Sequence, residues 1–178
     1  MRVVCYGDSN TYGYDPRDWF GGRYPADSRW VDLLAGATGW QVDNAGMNGR
    51  GIPCGGAALP DGIDLMIIML GSNDLLQGST PAQAAADMET FLRELPMERA
   101  RILLVAPPPM RLGAWVPHPS LVRASAELAE QYRALARRLG TAFADAGEWG
   151  VELSGDGVHF PPAGHRAFAA GLLKALTQ

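Results

Sequence analysis

Residues 63–74 read IDLMIIMLGSND. From Asp64 to Leu70 the run is almost continuously apolar, and it stops abruptly at Gly71-Ser72-Asn73-Asp74. A strand with one face in water alternates apolar and polar residues. A run without alternation suits a strand covered on both faces, as in a parallel sheet. Four further segments read as strands around Ile63–Leu70: Arg2–Tyr6, Trp40–Asn44, Arg101–Ala106 and Thr141–Ala144.

Helical patterns separate them. Asp27–Ala37 places Trp30, Leu33, Leu34 and Ala37 on one face. Pro81–Leu95 follows Thr80-Pro81-Ala82-Gln83, a capping-box pattern with proline at the first helical position. Leu121–Leu139 ends at Gly140, a suitable residue just past a helix. Pro162–Leu176 closes the chain as an amphipathic helix. Alternating strands and helices predict an α/β fold: a flavodoxin-like, doubly wound sheet of about five parallel strands, with helices on both faces and right-handed crossovers. With 178 residues, 47% of them hydrophobic, the chain reads as a single domain over 1–178.

The charge balance narrows the function. A net charge of −4, with 15 scattered basic residues, carries no nucleic-acid footprint. No apolar run reaches the length of a membrane span. The chain enters its first strand without a charged-then-apolar leader, which predicts a cytoplasmic location. Its two cysteines, Cys5 and Cys54, make neither a disulfide framework nor a metal cluster.

In doubly wound sheets, ligands bind outside the carboxyl ends of the strands. The tips here read Gly7-Asp8-Ser9-Asn10, then Asn44 to Gly51, Gly71-Ser72-Asn73-Asp74 and Pro107-Pro108-Pro109, with Asp156-Gly157-Val158-His159-Phe160 beyond the fifth. Ser9 is a candidate nucleophile, although a turn or helix-cap serine would look the same. A serine hydroxyl needs a base. His159, three residues after Asp156, can supply one, with the carboxylate fixing its tautomer; a surface loop could hold the same pair incidentally. Of the other histidines, His165 falls on the closing helix and reads as solvated or capping, and His118 as part of a loop wall. Asn73 offers a side-chain N–H, and Gly49 and Ser9 offer backbone N–H groups, to a developing oxyanion. Both Asn73 and Gly49 also suit plain turns. The segment Pro107–Ser120, with Met110, Leu112, Trp115 and Val116, reads either as one wall of the site or as a loop packed on the core. Tyr12, Tyr14, Trp19 and Phe20 border the site or pack beneath it.

Together, GDSN at 7–10, NAGMNGRG at 44–51, GSND at 71–74 and DGVHF at 156–160 resemble the SGNH (GDSL-type) hydrolases, over essentially the whole chain. The resemblance implies a serine esterase with Ser9, Asp156 and His159 as triad. It implies an oxyanion hole of Ser9, Gly49 and Asn73, with Gly49 preferred to Gly46 by the family spacing from Asn44. Asp8 and Asp74 would be loop-fixing acceptors. No cofactor and no metal is implied, and the partner is a small-molecule ester. YGDSNTYGY, IDLMIIMLGSND, LLVAPPP and DGVHF are similar to the bacterial arylesterase and acyltransferase branch, whose members cleave short-chain esters and sometimes pass the acyl group to alcohols. Asn10 departs from the leucine usual after the serine. The loops Gly51–Gly62 and Pro107–Ser120 look shorter than in oligomeric members, which leaves a homo-oligomer open and would give a mouth wide enough for an acetylated sugar. Two rivals stand beside this reading: a metal-dependent phosphoesterase using Asp8, Asp74, Asp156 and His159, and a non-catalytic binding module.

Overall fold

A computed structural model describes residues 1–18 and 20–177. Its single sheet is parallel throughout, in the order β2-β1-β3-β4-β5. The strands are β1 (Arg2–Gly7), β2 (Gln41–Gly46), β3 (Leu65–Met69), β4 (Ile102–Ala106) and β5 (Ala142–Asp145). The helices are α1 (Ser9–Tyr12), α2 (Trp30–Thr38), α3 (Ser72–Leu76), α4 (Pro81–Glu94), α5 (Pro119–Leu139) and α6 (Pro162–Ala175). This is the doubly wound, flavodoxin-like order that the strand–helix alternation predicts.

The central run explains the layering. Side chains along a strand point to alternate faces. Met66, Ile68 and Leu70 enter one core with Met88, Phe91 and Leu92 of α4 and Tyr132 and Leu135 of α5. Ile67 and Met69 enter the other, with Trp30 and Leu34 of α2 and Phe168 and Leu172 of α6. Both faces of β3 are therefore dry, which is why its sequence shows no polar alternation. Burying a side chain of this size stabilises the fold by about 1.5–3 kcal/mol.

Several boundaries differ from the expectation: β2 runs two residues past Asn44 to Gly46, β3 starts two residues after Ile63, and most other strand ends shift by one residue. Residues 26–28 form a separate 3-10 turn, and Arg29 is extended before α2 begins at Trp30. Helix α5 starts two residues earlier than Leu121, with Pro119 in its first turn, where a missing N–H costs nothing. Short helices follow β1 and β3 directly, where the tips read as turns. No helix among the described residues is long and apolar enough to cross a membrane.

From β1 the chain crosses to β2 on one side, while β3 lies on the other. The carboxyl ends of β1 and β3 thus flank a topological switch point, where such sheets open a crevice.

Candidate active site

Ser9 is the first residue of α1, directly after β1. Asp8 caps this one-turn helix, its carboxylate accepting from the Asn10 N–H at 2.9 Å, and Gly13 ends it in the left-handed conformation. The tight turn of chain leaves the Ser9 side chain at the crevice, although the residue is only 6% exposed.

The segment after β5 reaches Ser9 from the opposite end of the sequence. His159 Nε2 lies 3.0 Å from Ser9 Oγ, and His159 Nδ1 lies 2.8 Å from Asp156 Oδ2. With the proton on Nδ1, facing the carboxylate, Nε2 is left as acceptor for the serine hydroxyl. Asp156 Oδ1 also accepts from the backbone N–H groups of Val158, at 2.8 Å, and His159, at 2.9 Å. Burial alone would raise the Asp156 carboxyl. The His159 ring N–H and these two backbone donors outweigh it and hold the group well below the usual carboxylate range. The carboxylate therefore stays charged beside the imidazole.

The other tips converge on the same crevice. Ser9, Gly49, Asn73 and His159 line one cavity of about 300 Å³, with Tyr14, Gly21, Asn48 and Trp115. Gly49 has φ +73°, a conformation that favours glycine, in a turn closed by the Arg50 N–H donating to the Met47 carbonyl at 3.2 Å. Asn73 sits in the first turn of α3 and donates one amide hydrogen to the Arg50 carbonyl at 3.0 Å, which fixes the plane of its amide. Gly46 ends β2 instead, packed against the α1 backbone so closely that a Cβ would meet Tyr12 N at 2.1 Å.

Asp8 and Asp74 lie behind the crevice. Asp74 Oδ1 accepts from the Ile52 N–H at 3.0 Å, tying the 46–52 loop to α3. Burial raises both carboxyls, and that of Asp8 is pushed up to about 6.

Two contributors had no role assigned from the sequence. Asn10, buried beneath Ser9, donates from Nδ2 to the Val158 carbonyl at 3.1 Å and accepts at Oδ1 from the Phe160 N–H at 2.9 Å. It straddles His159 and holds the histidine segment against the serine turn. Arg50 lies over the Tyr6 ring at 4.2 Å and donates from Nη1 to the carbonyls of Gly7, at 3.0 Å, and Ala45. Asn10 had a weak signal, since an amide replaces an expected leucine in GDSN. Arg50 had none beyond an arginine in a glycine-rich loop.

His165 corrects the expectation of a solvated or capping residue. It is fully buried, its Nδ1 accepts from the Trp30 N–H at 3.4 Å, and it packs edge-on against Tyr24 and Phe160. Burial, with Arg29 nearby, pushes its pKa down to about 4, so it is held neutral. His118 is exposed just ahead of α5. In the 107–120 segment Met110 and Val116 are buried, while Leu112 and Trp115 remain exposed, so this loop is both core and wall. Tyr14 borders the cavity, Tyr12 packs under Arg23, and Phe20 is exposed. Trp19 lies outside the described residues. Among the described residues, no three His, Cys, Asp or Glu side chains gather as a metal-ligand cluster.

Residues 5–167 match the GDSL-like lipase/acylhydrolase family, and the chain belongs to it. A search of curated proteins gives no significant match. A carbohydrate acetylesterase family member from Sinorhizobium meliloti is 30% identical, with a TM-score of 0.82, over 99% of this chain and 97% of that one. The native aryl esterase of M. smegmatis is 27% identical, with a TM-score of 0.81, over 99% and 98%. A member of the lipolytic G-D-S-L family from Veillonella parvula DSM 2008, 19% identical with a TM-score of 0.77 over 100% and 99%, shares the fold. Family and neighbours together make the protein a carboxylic ester hydrolase.

Proposed function

We propose that the protein hydrolyses short-chain, acetyl-type esters through a covalent acyl-enzyme on Ser9, with acyl transfer to alcohols as a competing outcome. The observation that carries the reading is the continuous chain Ser9–His159–Asp156, with contacts of 3.0 and 2.8 Å between groups 150 and three residues apart in sequence. His159 takes the Ser9 proton as the hydroxyl attacks the ester carbonyl, and Asp156 stabilises the imidazolium. The backbone N–H groups of Ser9 and Gly49 and the free amide hydrogen of Asn73 bind the oxyanion. Collapse expels the alcohol, which His159 protonates. Water, or a second alcohol, then attacks the acyl-enzyme by the same route in reverse. No step calls on a metal. The 300 Å³ cavity, at the lower end of ligand-pocket sizes, favours a small acyl group.

The experiment is release of p-nitrophenol from acetate and octanoate esters by wild type, Ser9→Ala and Asn73→Ala, with circular dichroism to confirm folding. Acetate is cleaved fastest, Ser9→Ala is inactive, and Asn73→Ala loses about 10²–10³ in kcat. A Ser9→Ala protein as active as wild type refutes the acyl-enzyme. A wild-type-like Asn73→Ala refutes the oxyanion assignment.

A further inference from the structure

We infer that the hairpin Arg111–Val116 is a brace that positions Asp156, with Gly113 as its positioning residue. The inference rests on the Ser9–His159–Asp156 reading above. Asp156 belongs to a stretch, 151–161, that lies in neither helix nor strand. Such backbone has no ladder of its own, and its buried polar groups need partners from elsewhere. The hairpin supplies them. Three successive carbonyls accept from it: Gly155 O from the Ala114 N–H at 3.2 Å, Asp156 O from the Trp115 N–H at 3.0 Å and Gly157 O from the Arg111 N–H at 3.0 Å. The Arg111 guanidinium adds a bond to the Leu153 carbonyl.

The brace stands on the core. Its turn is closed by Gly113 and Val116, each N–H donating to the other's carbonyl, at 3.2 and 3.1 Å. Met110 and Val116 are buried in the same core as α5, and the Met110 N–H donates to Ser125 Oγ of that helix at 2.8 Å. Asp156 is thus tied to α5 through the hairpin, while His159 is tied to the serine turn through Asn10. Each half of the pair has its own support.

Two glycines make the approach possible. A Cβ on Gly113 would meet the Asp156 carbonyl carbon at 2.5 Å and the Gly157 nitrogen at 2.6 Å, so the hairpin lies directly on the peptide joining them. Gly113 is outside the left-handed region, so its missing side chain serves this contact and not a turn. From the other side, a Cβ on Gly157 would meet the Arg111 carbonyl oxygen at 2.1 Å. These are main-chain atoms, which cannot swing aside. Alanine at 113 must part the two backbones by roughly 1 Å to reach ordinary contact. Asp156 Oδ2 meets His159 Nδ1 at 2.8 Å, and a displacement of that size in a catalytic group costs on the order of 10² in rate.

The variants are Gly113→Ala, Ala114→Pro and, as control, Gly155→Ala, each assayed on p-nitrophenyl acetate where circular dichroism shows it folded. Ala114 is the first central residue of the 113–116 turn and has no positive φ, so proline suits it and deletes only the bond to Gly155 O. A Cβ on Gly155 meets nothing within 4 Å, and its φ is outside the left-handed region. The second readout is the proton resonance of the His159 Nδ1–H, which a hydrogen bond to a carboxylate carries far downfield. Gly113→Ala loses about 10–100-fold in kcat with KM little changed, Ala114→Pro loses about 2–10-fold, and the resonance moves upfield in both. Gly155→Ala keeps the wild-type kcat and resonance. If Gly113→Ala does not fold, Ala114→Pro carries the test. A folded variant of the brace with wild-type kcat overturns the inference, and so does an equal loss in Gly155→Ala. A lowered kcat with an unmoved resonance overturns the route through Asp156. All three leave the Ser9 reading standing. A wild type inactive on the ester, or an active Ser9→Ala, overturns that reading and the brace with it.

Discussion

Replacing Asn10 by leucine tests whether this side chain sets the reactive geometry. Asn10 is 5% exposed and makes two long-range bonds, to Val158 O at 3.1 Å and from Phe160 N at 2.9 Å. Leucine removes both and leaves a buried carbonyl and a buried N–H without partners. Each orphaned group costs about 1–3 kcal/mol, so Asn10→Leu loses about 2–6 kcal/mol of stability. That is a large share of the 5–15 kcal/mol typical of a folded domain. Asn10→Asp is the companion variant: it keeps an acceptor for Phe160 but sets a buried carboxylate oxygen against the Val158 carbonyl, so it too loses stability. Both bonds bracket His159, so slack there moves the imidazole relative to Ser9. A displacement near 1 Å costs on the order of 10² in rate. We expect kcat for p-nitrophenyl acetate to fall roughly 10–100-fold in Asn10→Asp with KM little changed, and its urea midpoint to fall as well. A folded Asn10→Asp with wild-type kcat and wild-type urea midpoint refutes the clamp.

Two further outcomes follow from buried titratable groups. His165 titrates at about 4 when folded and at the ordinary 6.5 when unfolded. Between these values the unfolded chain holds a proton that the folded chain lacks, so this contribution is present above pH 6.5 and drains away as pH falls toward 4. From pH 7.5 to 4.5, urea unfolding of wild type loses about 2–3 kcal/mol more than that of His165→Gln. Asp8, raised to about 6, acts with opposite sign but is common to both proteins; equal losses in the two refute the assignment of a buried neutral His165. The thiols divide in the same manner. Burial, with Asp43 nearby, raises the Cys5 thiol far above its ordinary value, while Cys54 is exposed. A thiol reagent therefore titrates one cysteine in the native protein and two in denaturant, and rapid modification of both in native buffer would contradict the packing of β1.

Much of this architecture was legible from the chain. The run 64–70 announced a strand dry on both faces because Met66 and Ile68 serve one core and Ile67 and Met69 the other. The tip residues could be gathered because a parallel sheet sends every strand's carboxyl end to one edge. What stayed hidden was decided by contacts far apart in sequence. Asn10 meets residues about 148–150 positions away, and His165 meets Trp30 across 135. Periodicity placed His165 on a helix, but only the packing of α6 against α2 decided that it faces inward. The helices after β1 and β3 escaped because four or five residues carry too little periodicity to distinguish a helical turn from a bend.

Arg50 has a consequence for how such a site could be altered. Its guanidinium gathers the carbonyls at the ends of β1 and β2, and its own carbonyl holds the amide of Asn73 after β3. The three donors proposed for the oxyanion are thus welded to the sheet through one residue and inherit its rigidity. Arg17, Asp18 and Ala114 stand outside that weld, whereas Tyr14 and Trp115 pack on the His159 imidazole. A library aimed at new substrates therefore belongs at those three positions and should leave 44–52, Tyr14 and Trp115 untouched.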